Sequence, residues 1–335
     1  MATYNSIQGT NDIAIADPYY SDLLTGRVPK GFISKEILLP VPSNIPYGRI
    51  IKQNTALIAE AQLQLGASGF KTMSVSYTPT DHYQIKTRGI QARLDANDIY
   101  QLGGGDEAKA RVRIIKQLDL QLLLAEEYAT STTLRDVTKV TQTVDLSAGS
   151  YDDPASNPTA DFAAARAKVF DGCGEEANIA IVPFHVKNYL KAHPQLIKGY
   201  FQTALATGKG GAVTNMQLSD GQLAAAMGVE EIKYAKSYYN TAEDGQPAVY
   251  ATLWGKDIIF AHVADALHPD DAIQSLGYRF IPATGANFMA PAEFAYDWTY
   301  PGVPTGFGKF ITRGYTYDNH FTDFTCAAII KNAVK

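Results

Sequence analysis

Cysteine, charge of one sign and long apolar runs are all scarce in this chain of 335 residues. Its two cysteines, Cys173 and Cys326, lie far apart without CxxC spacing, so buried, idle thiols are favoured over a metal site or a disulfide framework. No apolar run reaches the ~18 residues of a membrane span. The first twenty residues lack a basic start and a long apolar centre, so a cytosolic product is expected. The net charge of −5 argues against a protein whose main task is to bind nucleic acid.

Recognisable catalytic motifs are lacking as well. Residues 103–105 are three glycines before a predicted helix, but they lack the GxxxxGK[ST] spacing of a phosphate-binding loop, and no GxSxG nucleophile turn occurs. Among the six histidines, His185 and His193 are separated by a predicted helix end and do not form the i, i+4 pair of a helical zinc site. We therefore predict no catalytic, cofactor-binding or metal-binding residues, no cofactor, and a protein that is not an enzyme.

The composition that remains is typical of a folded protein with large contact surfaces. The chain is 46% hydrophobic and 19% charged, which excludes a disordered chain. Its length suggests about two domains. Its 20 tyrosines and 14 phenylalanines are more than a core of this size needs. Because such aromatic residues are favoured at protein–protein contacts, the composition indicates large interfaces.

Two segments at the start of the chain lack an evident core of their own. Residues 1–46 are interrupted by proline and glycine, with apolar residues between positions 32 and 41. This pattern suggests an extended arm lying on a neighbouring subunit, and packing on its own domain is an equally open alternative. Residues 47–89 alternate in strand fashion and predict a long β-hairpin. Such a hairpin is marginally stable alone and needs a partner surface.

Residues 106–132 predict the clearest helix, with Asp106 as its N-cap. Its apolar stripe is expected at Val112, Ile115, Leu118, Leu122 and Ala125. Basic residues occupy much of the remaining surface, at Lys109, Arg111, Arg113 and Lys116. Acidic neighbours make a salt-bridged face more plausible than DNA contact, which would be electrostatic and independent of sequence. Residues 132–145, rich in Thr and Val, predict one or two strands.

Residues 151–201 carry the most informative pattern. Asn157-Pro158 predicts a helix start, and the glycines that follow Phe170 predict its end. A strand is expected at residues 179–182, followed by a helix at 183–192 that ends before His193-Pro194. Further along the chain, a helix is expected at 220–227 after a Ser219 cap, and strands at 233–239, 248–254, 258–263, 310–317 and 324–333.

The order of these motifs resembles that of the major capsid proteins of tailed bacteriophages, which have the Hong Kong 97-like fold. That family has a DPxSxP helix, an N-x-aliphatic-x-aliphatic strand, an aromatic-bearing helix and an HP exit. The matching residues here are Asp153, Pro154, Ser156, Pro158, Asn178, Ile179, Ile181, Phe184, Tyr189, Leu190, His193 and Pro194. A second match comprises Leu223, Gly228, Val229, Ile232, Tyr239, Asn240, Trp254, Gly255, Lys256 and Asp257. Residues 32–41 resemble the family's arm, and Glu126 and Glu127 fall where many members have acidic residues in the long helix.

The resemblance implies an α+β fold that is divided into five parts. These are an N-terminal arm at 1–46, an extended-loop hairpin at 47–89, a peripheral domain at 90–154 with spine helix 106–132, an axial domain at 155–305, and C-terminal strands at 306–335 that return to the peripheral domain. Some relatives cross-link their subunits through a loop lysine. Lys52, Lys71 and Lys86 lie in the candidate loop, but no motif here supports that reaction, so it is not predicted.

The resemblance also implies a structural role. The expected function is self-assembly into pentamers and hexamers of an icosahedral phage head that encloses double-stranded DNA, with assembly in the bacterial host cytoplasm. The expected partners are further copies of the chain, a separate scaffolding protein, a portal, a decoration protein and packaged DNA held by non-specific contact, with no membrane. The alternatives are an encapsulin-type bacterial nanocompartment shell protein and an unrecognised soluble α/β enzyme.

Overall fold

The computed structural model describes residues 30–53, 77–146, 149–205, 217–242, 246–265, 274–284, 291–299 and 309–335. Helices and strands occur in runs along this part of the chain. The helices are α1 Ser34–Ile37, α2 Ala96–Gly103, α3 Glu107–Arg135, α4 Pro158–Cys173, α5 Phe184–Ala192, α6 Pro194–Leu205 and α7 Asp220–Met227, with a 3₁₀ turn at Phe324–Cys326. None of the described helices is long and apolar enough to cross a membrane.

The described strands form two larger sheets and two strand pairs. Their bounds are β1 Leu39–Ser43, β2 Tyr47–Gln53, β3 Tyr77–Gln84, β4 Lys86–Leu94, β5 Thr143–Asp145, β6 Ile179–Pro183, β7 Glu231–Ala235, β8 Tyr238–Asn240, β9 Tyr250–Thr252, β10 Ile258–Ala261, β11 Gly277–Pro282, β12 Glu293–Thr299, β13 Lys309–Phe321 and β14 Ala327–Lys331. The small pairs are β2 with β3 and β8 with β9, both antiparallel.

The first sheet is organised by β13, and we call it the outer sheet. The N-terminal part of β13 pairs with β4 on one side and with β12 on the other, and its last residues pair with β11. Parallel pairing of β1 with β11 completes this sheet. Helix α3 packs on it through an apolar cluster that includes Leu94, Ile114, Leu118 and Ile311.

The second sheet, in the order β5-β14-β10-β6-β7, forms the centre of the molecule, and we call it the central sheet. Every residue of β10 is buried, as are Ala327–Ile330 of β14. Continuous apolar runs are typical of strands that are covered on both faces. One face packs against α4, α5 and α7. The other packs against Trp254, Leu134 near the end of α3, and residues 33–38.

The helix predicted at 106–132 is present as α3, but its buried face and its C-terminal end differ from the prediction. The Asp106 side chain accepts hydrogen bonds from the backbone N–H groups of Ala108 and Lys109, at 2.9 and 3.3 Å. Val112, expected in the apolar stripe, is 51% exposed. The buried face runs through Ile114, Leu118 and Leu122 and then continues through polar residues, which hydrophobic periodicity does not reveal. The buried residues of α3 are Ala110, Ile114, Leu118, Leu122, Glu126, Glu127, Thr130, Ser131 and Leu134.

The strand prediction for residues 132–145 was wrong over most of its length. Helix α3 continues to Arg135, and only Thr143–Asp145 forms a strand. The cause is tertiary packing, since Leu134 is completely buried in the core below the central sheet. Such packing overrides the β-propensity of Thr and Val.

The pattern at residues 151–201 is confirmed element by element. The Asn157 side chain accepts from the backbone N–H of Ala160 at 3.4 Å, and α4 ends at Gly174 with φ of 80°. Strand β6 and helix α5 follow as expected. His193-Pro194 ends α5, but it leads directly into α6, which was not predicted. Proline is well suited to the first position of a helix, so the same residue ends one helix and begins the next.

The described part of the predicted arm packs on its own chain. Ile33, Ile37 and Leu38 are at most 5% exposed and belong to the core beneath the central sheet. Strand β1 is paired with β11 of the same chain. The alternative in which this segment packs on its own domain therefore applies to residues 33–43, whereas residues 1–29 lie outside the described part of the chain.

The predicted hairpin is present at its base. Strands β2 and β3 pair in an antiparallel register from Tyr47 with Gln84 to Gln53 with Tyr77. The tip, residues 54–76 with Lys71, lies outside the described residues. The Tyr83 ring stacks on Phe280 with centroids 3.8 Å apart, and this contact attaches the hairpin base to the outer sheet. Lys86 belongs to β4, which leaves the hairpin to pair with β13.

Candidate functional site

The described residues include no group of three or more His, Cys, Asp or Glu side chains that could hold a metal ion. The histidines placed by the structure each serve a separate local contact. His82 stacks on Tyr47, and His262 Nδ1 lies 2.7 Å from the Glu176 carbonyl oxygen. His320 Nε2 lies 2.8 Å from an Asp81 carboxylate oxygen. His268 lies outside the described residues.

His193, which belongs to the His-Pro motif, holds two segments together. Its Nδ1 accepts from the backbone N–H of Gln195 at 3.3 Å, which leaves Nε2 to donate to Ser156 Oγ at 3.0 Å. Burial lowers the pKa of His193, so the neutral ring is favoured. The side chain therefore ties the turn before α4 to the junction between α5 and α6, and it has no free nitrogen for acid–base chemistry.

The densest polar arrangement is centred on Glu127, which is completely buried. Its Oε2 accepts from the backbone N–H groups of Ile33 and Ser34, at 3.0 and 2.8 Å. Its Oε1 accepts from Trp254 Nε1 at 2.6 Å and from Ser237 Oγ at 3.3 Å. Burial raises the pKa of Glu127, although the hydrogen bonds from Trp254 and Ser34 act in the opposite direction.

The neighbouring Glu126 faces a different set of partners. It forms a buried ion pair with the guanidinium of Arg279 in β11 and accepts from Asn319 Nδ2 at 3.1 Å. Arg279 also donates to Asn319 Oδ1 at 2.9 Å, and its guanidinium lies 4.4 Å from the centroid of the Tyr317 ring. Because the two carboxylates have separate partners, they do not form a proton-sharing pair.

Together, Glu126 and Glu127 with these partners form what we call the acidic hub. One turn of α3 thereby fixes the start of α1, the connection after β7, the turn that carries Trp254, and the neighbouring strands β11 and β13. Both carboxylates of the hub are buried. Its chemistry is that of a structural junction, and sequence reasoning noted the two glutamates only as a point of family resemblance.

Ion pairs along the rest of α3 also connect it to its own chain. Arg111 pairs with Asp297 of β12 at 2.5 Å, and Asp119 pairs with Arg313 of β13 at 2.6 Å. Glu107 pairs with Lys309. Lys109 lies 3.7 Å from Asp106. The salt-bridged interpretation of the basic helix face therefore holds for Lys109 and Arg111.

Large apolar side chains remain on the surface of the described residues. Twelve are substantially exposed: Ile45, Tyr47, Tyr100, Val112, Tyr128, Val137, Phe170, Phe184, Tyr189, Val249, Tyr250 and Tyr296. Ile45 and Tyr47, both 54% exposed, lie together at the hairpin base. Exposed aromatic side chains of this kind are enriched in the contacts between protein subunits.

A surface cavity of about 390 Å³ lies between the turn before α4 and the α5–α6 junction. Its lining includes Tyr151, Pro154, Tyr189 and Pro194 together with Asp152. His193 also lines it, but its ring nitrogens are already used. The cavity therefore lacks the converging acid, base and nucleophile of a catalytic pocket.

No protein-family model matches the chain, and no curated protein matches it in sequence. Solved structures do match. A phage-related protein from Bordetella bronchiseptica RB50 has a TM-score of 0.58 at 18% identity, over 95% of this chain and 97% of that one. A chain from Microbacterium phage Oxtober96 has a TM-score of 0.56 at 10% identity, over 91% and 92%. A chain from the capsid structure of cyanophage P-SCSP1u has a TM-score of 0.54 at 10% identity, over 91% and 89%.

These similarities extend over nearly the full length of each chain, so they concern the whole architecture. At such low identity they show a shared fold. The predicted α+β fold of the phage capsid type is therefore confirmed.

Proposed function

We propose that the chain is the major capsid protein of a tailed double-stranded-DNA bacteriophage, a structural subunit that self-assembles into the pentamers and hexamers of an icosahedral head. The observation that carries this proposal is the fold shared with a cyanophage capsid chain over 91% of this chain and 89% of that one.

The proposed domain division assigns α3 to the peripheral domain at 90–154 and α4–α7 to the axial domain at 155–305. Both sheets join strands from more than one of these parts, since the outer sheet includes β11 and β12 from residues 155–305 and the central sheet includes β5 from residues 90–154. Of the C-terminal strands at 306–335, β13 lies in the outer sheet and β14 in the central sheet. The acidic hub lies where these parts meet, so it would fix their relative placement within one subunit.

The base of the hairpin supports contact with other copies. Two strands alone are marginally stable, and here the base also exposes Ile45 and Tyr47. Burying apolar surface contributes roughly 25 cal/mol per Å². Contacts that are weak singly become strong when many are made at once, as in a closed shell.

The remaining partners follow from the same proposal. We place the protein in the virion capsid after assembly in the host cytoplasm, with a separate scaffolding protein, a portal and a decoration protein. Packaged DNA would be held by non-specific contact. The net charge of −5 agrees with an inner wall that does not retain DNA tightly.

Expression of the full chain followed by light scattering and negative-stain microscopy tests the proposal. We expect rings, tubes or shells built from the 36.4 kDa subunit. A monomer that persists at high concentration and with crowding agents would contradict it. Shells that co-purify with an enzyme cargo in place of DNA would instead identify a bacterial compartment.

A further inference from the structure

The fold brings together the two cysteines that the sequence separates. Cys173 is the last residue of α4, and Cys326 is the last residue of the 3₁₀ turn before β14. The backbones touch one residue earlier in each element: a Cβ atom added to Gly172 would lie 2.6 Å from the carbonyl oxygen of Thr325. Cys326 is a buried member of an apolar cluster against which Cys173 packs, and Cys326 is the largest influence on the pKa of the Cys173 thiol.

The two thiols have different environments. Cys326 is completely buried, whereas Cys173 is partly exposed and its Sγ lies 3.6 Å from the Glu175 carbonyl oxygen. The interaction with Cys326, followed by the Glu175 carbonyl and the nearby His262, lowers the pKa of Cys173 to about 7, although burial and Asp323 act in the opposite direction. The thiolate is the reactive form of cysteine, so Cys173 is expected to react with oxidants faster than an ordinary thiol.

We propose that Cys173 and Cys326 form a redox pair, which a hydroperoxide converts into an intramolecular disulfide. The Cys173 thiolate attacks the peroxide oxygen, so that an S–O bond forms, the O–O bond breaks and the leaving oxygen takes up a proton as water or an alcohol. The Cys326 sulfur then attacks the Cys173 sulfenic acid. The S–S bond forms, the S–O bond breaks, and water leaves with the Cys326 proton. Two thiols lose two electrons in total, and the peroxide gains them.

The bond would join the end of α4 to the start of β14, and thus a helix layer to an inner strand of the central sheet. It closes a long loop, so it restricts the unfolded chain more than the folded one. The proposal does not depend on the proposed function. A subunit made in a reducing cytoplasm would keep both cysteines in the reduced thiol form, and the bond would form after exposure to oxidising surroundings.

The test uses the full-length wild-type chain, reduced, freed of reductant and treated with hydrogen peroxide. Peptide mass spectrometry without reduction should show the Cys173 and Cys326 peptides linked, with both thiols lost together. The thermal unfolding midpoint should rise and return to its starting value after reduction. Cys173 oxidised to sulfenic or sulfinic acid without linkage, disulfides between chains, or two unchanged thiols would each overturn the proposal.

Two variants separate the roles. Cys326→Ser should stop at a Cys173 sulfenic acid that dimedone traps, and Cys326→Ala replaces it if serine is not tolerated at this buried position. In Cys173→Ser, Cys326 should be oxidised by peroxide at least about tenfold more slowly than in the wild type, because its thiol is completely buried. Equal peroxide reactivity of Cys326 in wild type and Cys173→Ser would contradict the assigned order of attack.

Discussion

The indole Nε1 of Trp254 donates a 2.6 Å hydrogen bond to a carboxylate oxygen of Glu127, and both side chains are almost completely buried. The other carboxylate oxygen accepts from the backbone of Ile33 and Ser34. A side chain in the middle of α3 thus holds the segment that leads into β1 against the core of its own chain.

Replacing Glu127 with Ala should destabilise the chain by about 3–5 kcal/mol, since it leaves buried donors on Trp254, Ile33 and Ser34 without an acceptor. Urea unfolding measures the loss, and hydrogen exchange at residues 33 and 34 should rise before the rest of the fold opens. Trp254→Phe removes one donor and keeps the acceptor, so its cost should be smaller. Equal costs for the two variants would show that packing of Trp254, and not the carboxylate, dominates.

Glu127 should also make stability depend on pH in a defined direction. Burial raises its folded pKa above the ordinary value of 4.5, so its contribution to the free energy of unfolding is largest below that value. The contribution falls as pH rises through the raised folded pKa. Glu127→Gln removes this titration and should gain stability relative to wild type as pH rises from about 4 to 7. Ser237→Ala, which keeps the carboxyl group, is the control. A relative loss for Glu127→Gln over that range would contradict the raised pKa.

The buried pair of Glu126 and Arg279 should show strong coupling. Arg279→Met leaves the Glu126 charge uncompensated and should cost about 3–5 kcal/mol in urea unfolding. The double variant Glu126→Gln with Arg279→Met should recover a large part of that loss, because it removes both charges. Additive losses in the double-mutant cycle would mean that the two side chains act independently.

Gly48 should be intolerant of a side chain, because a Cβ atom there would collide with the Tyr83 ring that stacks on Phe280. Gly48→Ala should cost about 1–3 kcal/mol and speed proteolysis at the hairpin base. Gly149→Ala is the matched control, since its Cβ would enter open space. The double variant Gly48→Ala with Tyr83→Ala should remove the clash, and failure to relieve it would point to backbone strain.

Under the proposed shell function, Tyr47 at the hairpin base should contribute to contacts between copies. Tyr47→Ser should sharply lower the yield of shells or rings in light scattering while leaving the unfolding midpoint of the free subunit nearly unchanged. Tyr47→Phe keeps the exposed ring and should assemble like wild type. Assembly of Tyr47→Ser at the wild-type yield would exclude this surface from the contacts.

Local signals allowed much of the fold to be predicted from the sequence. The caps at Asp106, Asn157 and Ser219 depend on side chains bonded to amides two or three residues away, and all three are present. The position of the buried face of α3 could not be predicted in the same way. In the C-terminal half of α3 the buried residues include Glu126 and Glu127. Their partners come from distant segments of the chain, so the buried face has no periodic apolar pattern there.

The same distinction explains the candidate sites. From the sequence we predicted no catalytic or metal-binding residues. The sequence also contained no indication that Cys173 and Cys326 lie near each other. Cysteine spacing along the chain reveals only local frameworks. This contact depends on Gly172, whose missing side chain admits the backbone of Thr325. A feature made by two distant backbones becomes visible only in the folded chain.

Strand β13 has a mechanical consequence. Its N-terminal part is held between β4 and β12, and its last residues pair with β11. The hairpin is fastened near that end, where Asp318 accepts from the backbone N–H of Gln84. A force pulling the hairpin along the axis of β13 would therefore load many hydrogen bonds in shear at the same moment. Strand β13 would therefore distribute the load over the hydrogen bonds of the outer sheet, so that no single bond carries the whole force.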